Sequence, residues 1–185
     1  MADKKSHEKK SRKERCSAEK TLASQKTENK ADTNLHEKLQ GEGYSAEQPL
    51  AVRKTVSMAE NGKKYILNVS DSKESVVYQI DGKIITEGAK CDKMVLVKRD
   101  SSDWTQIFVE LKGVDVDHAI EQLESTLQNK KLMHLANKEK RARIVAASFP
   151  ANRGDTGMEK AKIRFLQKYK CDLRGLKSLQ PDVKV

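Results

Sequence analysis

Two charged side chains, Glu110 and Lys112, stand two residues apart in the stretch IFVELKG of residues 107–113. Side chains alternate across a β-strand, so this carboxylate and this ammonium group would share one face. Asp92 lies at the start of the preceding apolar stretch, CDKMVLVKR. Hydrolysis of a phosphodiester bond requires stabilisation of charge on the phosphate, and Mg²⁺ supplies it while taking only one or two protein carboxylates. Asp92 and Glu110 are therefore candidate metal ligands, and Lys112 is the candidate group that orients or deprotonates the attacking water.

The spacing of apolar residues predicts the elements that would position these side chains. KKYILNVS, SVVYQIDGKIIT, CDKMVLVKR and TQIFVELKG are typical of strands, with tight turns at Asp81–Gly82 and at SSDW. The earlier stretch AVRKTVSMAE predicts a short helix that ends at Asn61–Gly62. A helix is predicted from Asp115, a buried strand at ARIVAASF, and a second helix over 157–170. This order of strands, helix, strand and helix predicts an α/β (α+β) domain.

The composition predicts that only part of the chain contributes to a folded core. The chain has 185 residues, of which 4% are aromatic and 35% are charged. Residues 1–45 are rich in Lys, Glu, Ser, Thr and Asn, so we expect a disordered basic arm, because such a segment buries too little apolar surface to fold. It would serve as a nucleic-acid-binding arm, a localisation tag or a solvated tail. Residues 46–185 are expected to form a single domain.

The charge and the cysteines indicate the class of partner and the cellular setting. A net charge of +10 favours a polyanionic partner, of which nucleic acid is the first candidate. The three cysteines have no metal-like spacing, and no apolar N-terminal stretch predicts secretion or a membrane span. We therefore expect a reducing, cytoplasmic location without membrane association.

The stretch KCDKMVLV, a turn, IFVELKG and a helix that contains HAIEQL resemble the core of the PD-(D/E)XK nuclease-like superfamily. In that superfamily an acidic residue at one strand precedes an E-x-K on the next strand of a hairpin. The resemblance covers about residues 76–150. It implies a restriction-endonuclease-like fold, in which a central mixed sheet has a helix on either side.

The resemblance also implies a role for each residue of the motif. Asp92 and Glu110 would be ligands of Mg²⁺ or Mn²⁺, together with the backbone carbonyl of Leu111. Lys112 would lie beside the attacking water. Gln122 matches the position of an accessory glutamine in some members. The implied function is metal-dependent hydrolysis of phosphodiester bonds in nucleic acid, with DNA as the expected substrate.

Other interpretations of these residues remain open. Glu110 and Lys112 could form an ion pair on an exposed strand, with Asp92 in a turn. A nuclease-like fold could also carry an inactive site, because the first acid of the motif could be Asp81 or Glu87 instead. Such a module would bind nucleic acid or a partner protein without catalysis. A plain folded domain, whose charge serves only solubility, is the third alternative.

Two groups of cations are candidates for contacts with a phosphate backbone. Lys160, Arg164 and Lys168 recur every four residues and form one stripe on the last predicted helix. Arg141 and Arg143 belong to KEKRAR, ahead of the buried strand. Contacts of this kind position a duplex without reading its sequence. A nuclease of this size would therefore read little sequence, or take its specificity from a homodimer or a larger complex.

Overall fold

The structure is a computed structural model that describes residues 33–111, 115–147, 149 and 156–185. These residues lie within one compact unit, Asp32–Val185. The helices of this part are α1 (Leu35–Gly41), α2 (Val116–Gln128) and α3 (Thr156–Tyr169), with a 3₁₀-helix at Lys130–Leu132. The strands are β1 (Gln48–Glu60), β2 (Lys63–Gln79), β3 (Lys93–Lys98), β4 (Trp104–Leu111), β5 (Asn137–Ala146), β6 (Cys171–Lys177) and β7 (Pro181–Asp182).

The described strands form one mixed sheet of seven strands in the order β1-β2-β3-β4-β5-β6, with β7 added beside β2. Strands β1 to β4 pair with one another in antiparallel fashion, whereas β4, β5 and β6 are mutually parallel and β7 is parallel to β2. Parallel neighbours need a long crossover connection, and α2 and α3 provide the two crossovers. The predicted mixed α/β class is thus confirmed. The strands β6 and β7, which follow the last helix, were not predicted.

The helix predicted for AVRKTVSMAE is wrong, because this stretch belongs to the 13-residue strand β1. The reason lies at Asn61–Gly62, where both residues have positive φ angles of 50° and 71°. Two such residues form the tight turn that suits the twist of a β-hairpin, and Asn-Gly is the sequence that favours it. Glu60 accordingly pairs with Lys63 across the turn. The Asn-Gly pair joins two strands instead of ending a helix.

The long strand β2 replaces two separately predicted strands and bends near its middle. Asp71 and Ser72 have φ angles of 54° and 52°, a conformation that is costly for residues other than glycine. The register with β1 shifts nearby, between Arg53 and Thr55. A bulge of this kind bends a strand and increases its twist. The turn predicted at Asp81–Gly82 is present, but it leads into a loop rather than a second hairpin.

Each face of the sheet buries its own apolar cluster. All three described helices contribute to the cluster on one face, together with strand residues such as Phe108 and Ile144. The opposite face is covered by side chains of the bent hairpin, including Met58 and Tyr65. The helix expected on either side of the sheet is therefore not observed in the described residues, because strands cover the second face.

The folded unit includes part of the predicted N-terminal arm. Helix α1 lies before residue 45, and its side chains Leu35 and Leu39 are fully buried. The Asn34 side chain caps the helix by accepting a hydrogen bond from the Glu37 amide. The predicted boundary at residue 45 is therefore too late. Residues 1–32 lie outside the described residues.

A buried ion-pair network ties the C-terminal segment to the sheet. Arg143 of β5 is fully buried and donates from Nε to Oδ2 of Asp182 at 2.7 Å and from a terminal nitrogen to Asp172 at 3.0 Å. The Tyr65 hydroxyl donates to the same Asp182 oxygen at 2.7 Å. Four elements, β2, β5, β6 and β7, thus meet at one guanidinium group.

Close packing at Gly175 of β6 gives a testable prediction of stability. A Cβ atom there would lie 2.6 Å from the Phe149 ring, which is too short for two carbon atoms. We expect Gly175→Ala to lower the free energy of unfolding by about 1–3 kcal/mol, measured by urea denaturation, because the ring must move. The same substitution in a Phe149→Ala background should cost much less. An equal cost in both backgrounds would contradict the steric explanation.

The buried histidine of α1 makes stability dependent on pH. His36 is 6% exposed and its Nδ1 lies 2.7 Å from the hydroxyl of Tyr78. Burial lowers the pKa of His36 below 6.5, partly opposed by the charge of Glu37. As the pH falls below about 6.5, the unfolded chain therefore binds more protons at this residue than the folded protein does. The stabilisation of the fold by neutral His36 is thus complete above that pH. It is lost as the pH falls towards the pKa of His36 in the folded protein.

We accordingly expect the free energy of unfolding, measured in urea, to be lower at about pH 5.5 than at about pH 7.5. His36→Gln should reduce this difference. His118→Gln is the control, since the His118 side chain is 49% exposed. The explanation would fail if the difference were unchanged in His36→Gln.

Among the described residues, no helix is long and apolar enough to cross a membrane.

Candidate active site

Asp92 directly precedes β3 and Glu110 lies near the end of β4, two neighbouring strands in the middle of the sheet. The antiparallel register pairs Lys93 of β3 with Val109 of β4, and its continuation by one residue brings Asp92 opposite Glu110. Phe108 faces the cluster beneath the helices, so alternation along β4 places Glu110 on that same side. The structure thus brings together the two acids predicted from the sequence.

The main chain of β4 holds the carboxylate of Asp92. Its Oδ2 atom accepts a hydrogen bond from the amide of Leu111 at 2.6 Å. Asp92 is partly buried, and Glu110 is only 1% exposed. The two acids therefore lie in a packed region at the ends of β3 and β4, where electrostatic interactions are stronger than in bulk water.

The thiol of Cys91 lies beside both acids. Burial raises the pKa of Cys91 well above its usual range, and the negative charges of Glu110 and Asp92 raise it further, while a hydrogen bond with Thr126 acts in the opposite direction. The thiol therefore stays protonated at neutral pH and is a poor nucleophile or metal ligand. Cys91 thus serves the site as a small, fully buried side chain.

Helix α2 is joined by hydrogen bonds to the segment that leads into Asp92. The Gln122 side-chain amide donates to the carbonyl of Lys90 at 2.9 Å. The amide of Cys91 donates to Oγ1 of Thr126 at 2.8 Å. The predicted accessory residue Gln122 is thus next to the candidate site, where its described contact is with the main chain.

Of the two motif residues that follow Glu110, the structure describes Leu111 but not Lys112. The Leu111 side chain is 2% exposed and packs in the cluster on the face away from the helices. Lys112 lies outside the described residues. The roles assigned to Lys112 and to the Leu111 carbonyl stay predictions.

The donor set fits magnesium better than a metal that requires a full set of protein ligands. In residues 33–111, 115–147, 149 and 156–185 there is no group of three or more His, Cys, Asp or Glu side chains that could hold a metal ion. A pair of carboxylates is nevertheless what Mg²⁺ commonly uses, since it keeps several of its waters. Structural zinc requires four ligands, mostly Cys and His. Asp92 and Glu110 therefore suit Mg²⁺ or Mn²⁺.

The alternative first acids lie on the turn after β2 and are more exposed. The Asp81 side chain is 50% exposed and pairs with Lys90 at 3.3 Å, and Glu87 is also exposed. Asp92, by contrast, contacts the strand that carries Glu110. The described contacts thus favour Asp92 over Asp81 and Glu87 as the partner of Glu110.

The basic stripe of α3 is present, but part of it is used to bind α2. Arg164 and Lys168 both pair with Glu124 of α2, at 3.0 and 3.4 Å, and the Tyr169 hydroxyl donates to the same carboxylate at 2.8 Å. The side chains of Arg164 and Lys168 remain 46% and 56% exposed, and Lys160 is exposed as well. The stripe remains exposed, with its charge reduced by Glu124.

Arg141 and Arg143 are not available to a nucleic acid in this structure, which corrects their assignment to a binding surface. Both lie within β5, which begins earlier than the strand predicted at ARIVAASF. Arg141 is 8% exposed, pairs with Glu139 at 2.7 Å and donates to the carbonyl of Val183. Arg143 is fully buried in its ion pairs. Both guanidinium groups stabilise the fold.

Two polar residues near the site were missed by the sequence analysis. Thr126 is fully buried on the apolar side of α2, where a hydroxyl within a hydrophobic stripe was the available signal. Lys93 is 5% exposed, and its ammonium lies 2.7 Å from Glu47, 2.6 Å from Gln79 and 3.6 Å from Glu60. The sequence holds no comparable signal for this second group, because its members are distant along the chain.

Comparison of the chain with protein-family models, curated proteins and solved structures found no match.

Proposed function

We propose that this protein is a Mg²⁺-dependent nuclease of the cytoplasm that hydrolyses phosphodiester bonds in DNA. The observation that supports this most is that the carboxylate of Asp92, the residue before β3, accepts the amide of Leu111, which follows Glu110 on the antiparallel strand β4, with α2 after β4. This arrangement matches the strand order on which the resemblance to the PD-(D/E)XK nuclease-like superfamily rests. Two carboxylates so placed could share one divalent cation.

The roles of the chain's own residues follow from this arrangement. Asp92 and Glu110 would hold Mg²⁺ or Mn²⁺, with the Leu111 carbonyl as a further ligand. When bound, such a cation stabilises the negative charge that develops on the phosphate. Lys112 would orient the attacking water or accept its proton. Gln122, through its hydrogen bond to Lys90, would keep α2 close to the site.

The exposed cations of α3 would bind the phosphate backbone. Lys160 is exposed, and Arg164 and Lys168 are about half exposed. Because such contacts are electrostatic and do not read bases, binding should weaken as the salt concentration rises and should discriminate little among sequences. Target choice would then depend on DNA structure, a homodimer or a larger complex.

The test is cleavage of labelled single- and double-stranded DNA and RNA by the purified full-length protein in Mg²⁺, Mn²⁺ or EDTA. Metal-dependent cutting of DNA that EDTA abolishes is the expected result. Equal cutting of RNA would correct the substrate. Failure to cut any of these substrates in either metal would overturn the proposal.

A second candidate is a catalytically inactive module that binds nucleic acid or a partner protein. The observation that favours it is the state of the two acids, since Asp92 already accepts the Leu111 amide and Glu110 is nearly inaccessible. Salt-dependent binding of nucleic acid that is indifferent to Mg²⁺, without cleavage, would distinguish this module from the nuclease.

A further inference from the structure

We propose that Thr126 is a positioning residue of the candidate metal site. Its hydroxyl fixes the main chain at Cys91 and thereby holds the carboxylate of Asp92 against β4. This inference rests on the proposed function, because Asp92 matters in this way only if it serves the site.

The hydroxyl of Thr126 makes one hydrogen bond within α2 and another to the main chain before Asp92. It donates to the carbonyl of Gln122, one turn earlier in α2, at 2.7 Å. It also accepts the amide of Cys91 at 2.8 Å. A threonine hydroxyl has a single hydrogen to donate, so its contact with Cys91 must use an oxygen lone pair. Thr126 thus connects the helix directly to the residue before Asp92.

Asp92 is then held on both sides of its own position. Its carbonyl accepts the amide of Ile80 at 2.8 Å, and its carboxylate accepts the amide of Leu111 at 2.6 Å. On the N-terminal side of Asp92, the amide of Cys91 donates its hydrogen bond to Thr126. The location of the Asp92 carboxylate therefore depends on these hydrogen bonds, and Thr126 supplies the one to the residue directly before Asp92.

Loss of this anchor has a defined physical consequence. Cys91 is fully buried, so its amide would lie in the protein interior without an acceptor if the Thr126 oxygen were removed. The segment would shift to find water or another acceptor, and Asp92 would move with it. A displacement of about 1 Å at a reacting centre can reduce a rate by about a hundredfold.

Two substitutions separate the hydroxyl from the shape of the side chain. Thr126→Val keeps the branched shape and removes both hydrogen bonds, whereas Thr126→Ser keeps the hydroxyl. Tyr65→Phe is a matched control, since it removes a buried hydroxyl that donates to Asp182 on the other face of the sheet. It should lower stability without affecting the site.

The experiment measures hydrogen exchange of the Leu111 amide by NMR in the metal-free full-length protein, and the Mg²⁺ concentration that gives half-maximal cleavage. In Thr126→Val, we expect exchange at Leu111 to be about tenfold faster than in Tyr65→Phe, the effect of one lost hydrogen bond. The Mg²⁺ requirement should rise by about tenfold as well. Thr126→Ser should resemble the wild type in both measurements.

The outcomes separate this inference from the proposed function. Unchanged Leu111 exchange in Thr126→Val would overturn the positioning role, even if the wild-type protein cleaves DNA. Equal changes in Thr126→Val and Tyr65→Phe would overturn it too, because general destabilisation would then explain them. If the wild type neither binds Mg²⁺ nor cleaves, the proposed function fails, and the catalytic meaning of Thr126 fails with it, whatever the exchange at Leu111.

Discussion

Glu110→Gln is expected to lower the rate of Mg²⁺-dependent DNA cleavage by about a thousandfold, or about 4 kcal/mol in the activation free energy. The amide keeps the size of the carboxylate but removes one of the two negative charges at the adjoining ends of β3 and β4. Asp92→Asn should have an effect of similar size. The measurement is the single-turnover rate of cleavage at saturating protein.

The matched controls are Asp81→Asn and Glu87→Gln, which remove exposed acids on the neighbouring turn. Both variants should cleave DNA at nearly the wild-type rate. Loss of cleavage in Asp81→Asn together with an active Asp92→Asn would identify Asp81 as the first acid instead. Full activity in Glu110→Gln would contradict the site as a whole. Circular dichroism and urea denaturation of each variant would show that the fold is retained.

The largest effect on stability is expected at Arg143. Arg143→Met should lower the free energy of unfolding by about 3–5 kcal/mol, measured by urea denaturation, because it removes the guanidinium from a buried carboxylate. Asp182 is 4% exposed and pairs with Arg143 at 2.7 Å. Without this cation, Asp182 must keep its charge in the interior unpaired, take up a proton or leave its position.

Arg174→Met is the control for this effect. The Arg174 side chain is 47% exposed and pairs with Asp172 at the surface, so its loss should cost less than about 1 kcal/mol. Adding Asp182→Leu to Arg143→Met should restore part of the stability, since the second substitution removes the stranded charge. Equal losses for Arg143→Met and Arg174→Met would contradict the importance of burial.

The elements around the candidate site were the most predictable part of the fold. The strands β3 and β4 have continuous apolar stretches, and α2 has apolar residues at helical spacing with Asp115 as its N-cap. Local pattern and tertiary packing agree in these segments. The strand β1 was missed for two reasons. Its buried and exposed residues alternate weakly, since most of its first half is exposed. In addition, Asn61–Gly62 was interpreted as the end of a helix.

The candidate site was predictable in its pairing but not in its surroundings. The strands β3 and β4 could be predicted as neighbours because a short turn joins two apolar stretches, and the resemblance to the nuclease-like superfamily then matched Asp92 with Glu110. The burial of Arg143 could not be predicted, because its partners Asp172 and Asp182 follow it by many residues and belong to strands that were not expected. A cluster of cations in a sequence gives no sign of which of them acquire buried partners.

The pairing of the C-terminal segment with β2 also bears on how the chain folds during synthesis. Tyr65 and Asp182 are 117 positions apart, and β7 pairs with β2 at Ile66 and Leu67. Domains emerge from the ribosome N-terminal end first, and contacts between distant residues form late. The β1–β2 hairpin can form early, yet its pairing with β7 must wait until residues 181–182 have been made. A nascent chain that pauses before that point would leave the buried Arg143 without Asp182, and we expect it to be a target for chaperones and proteases.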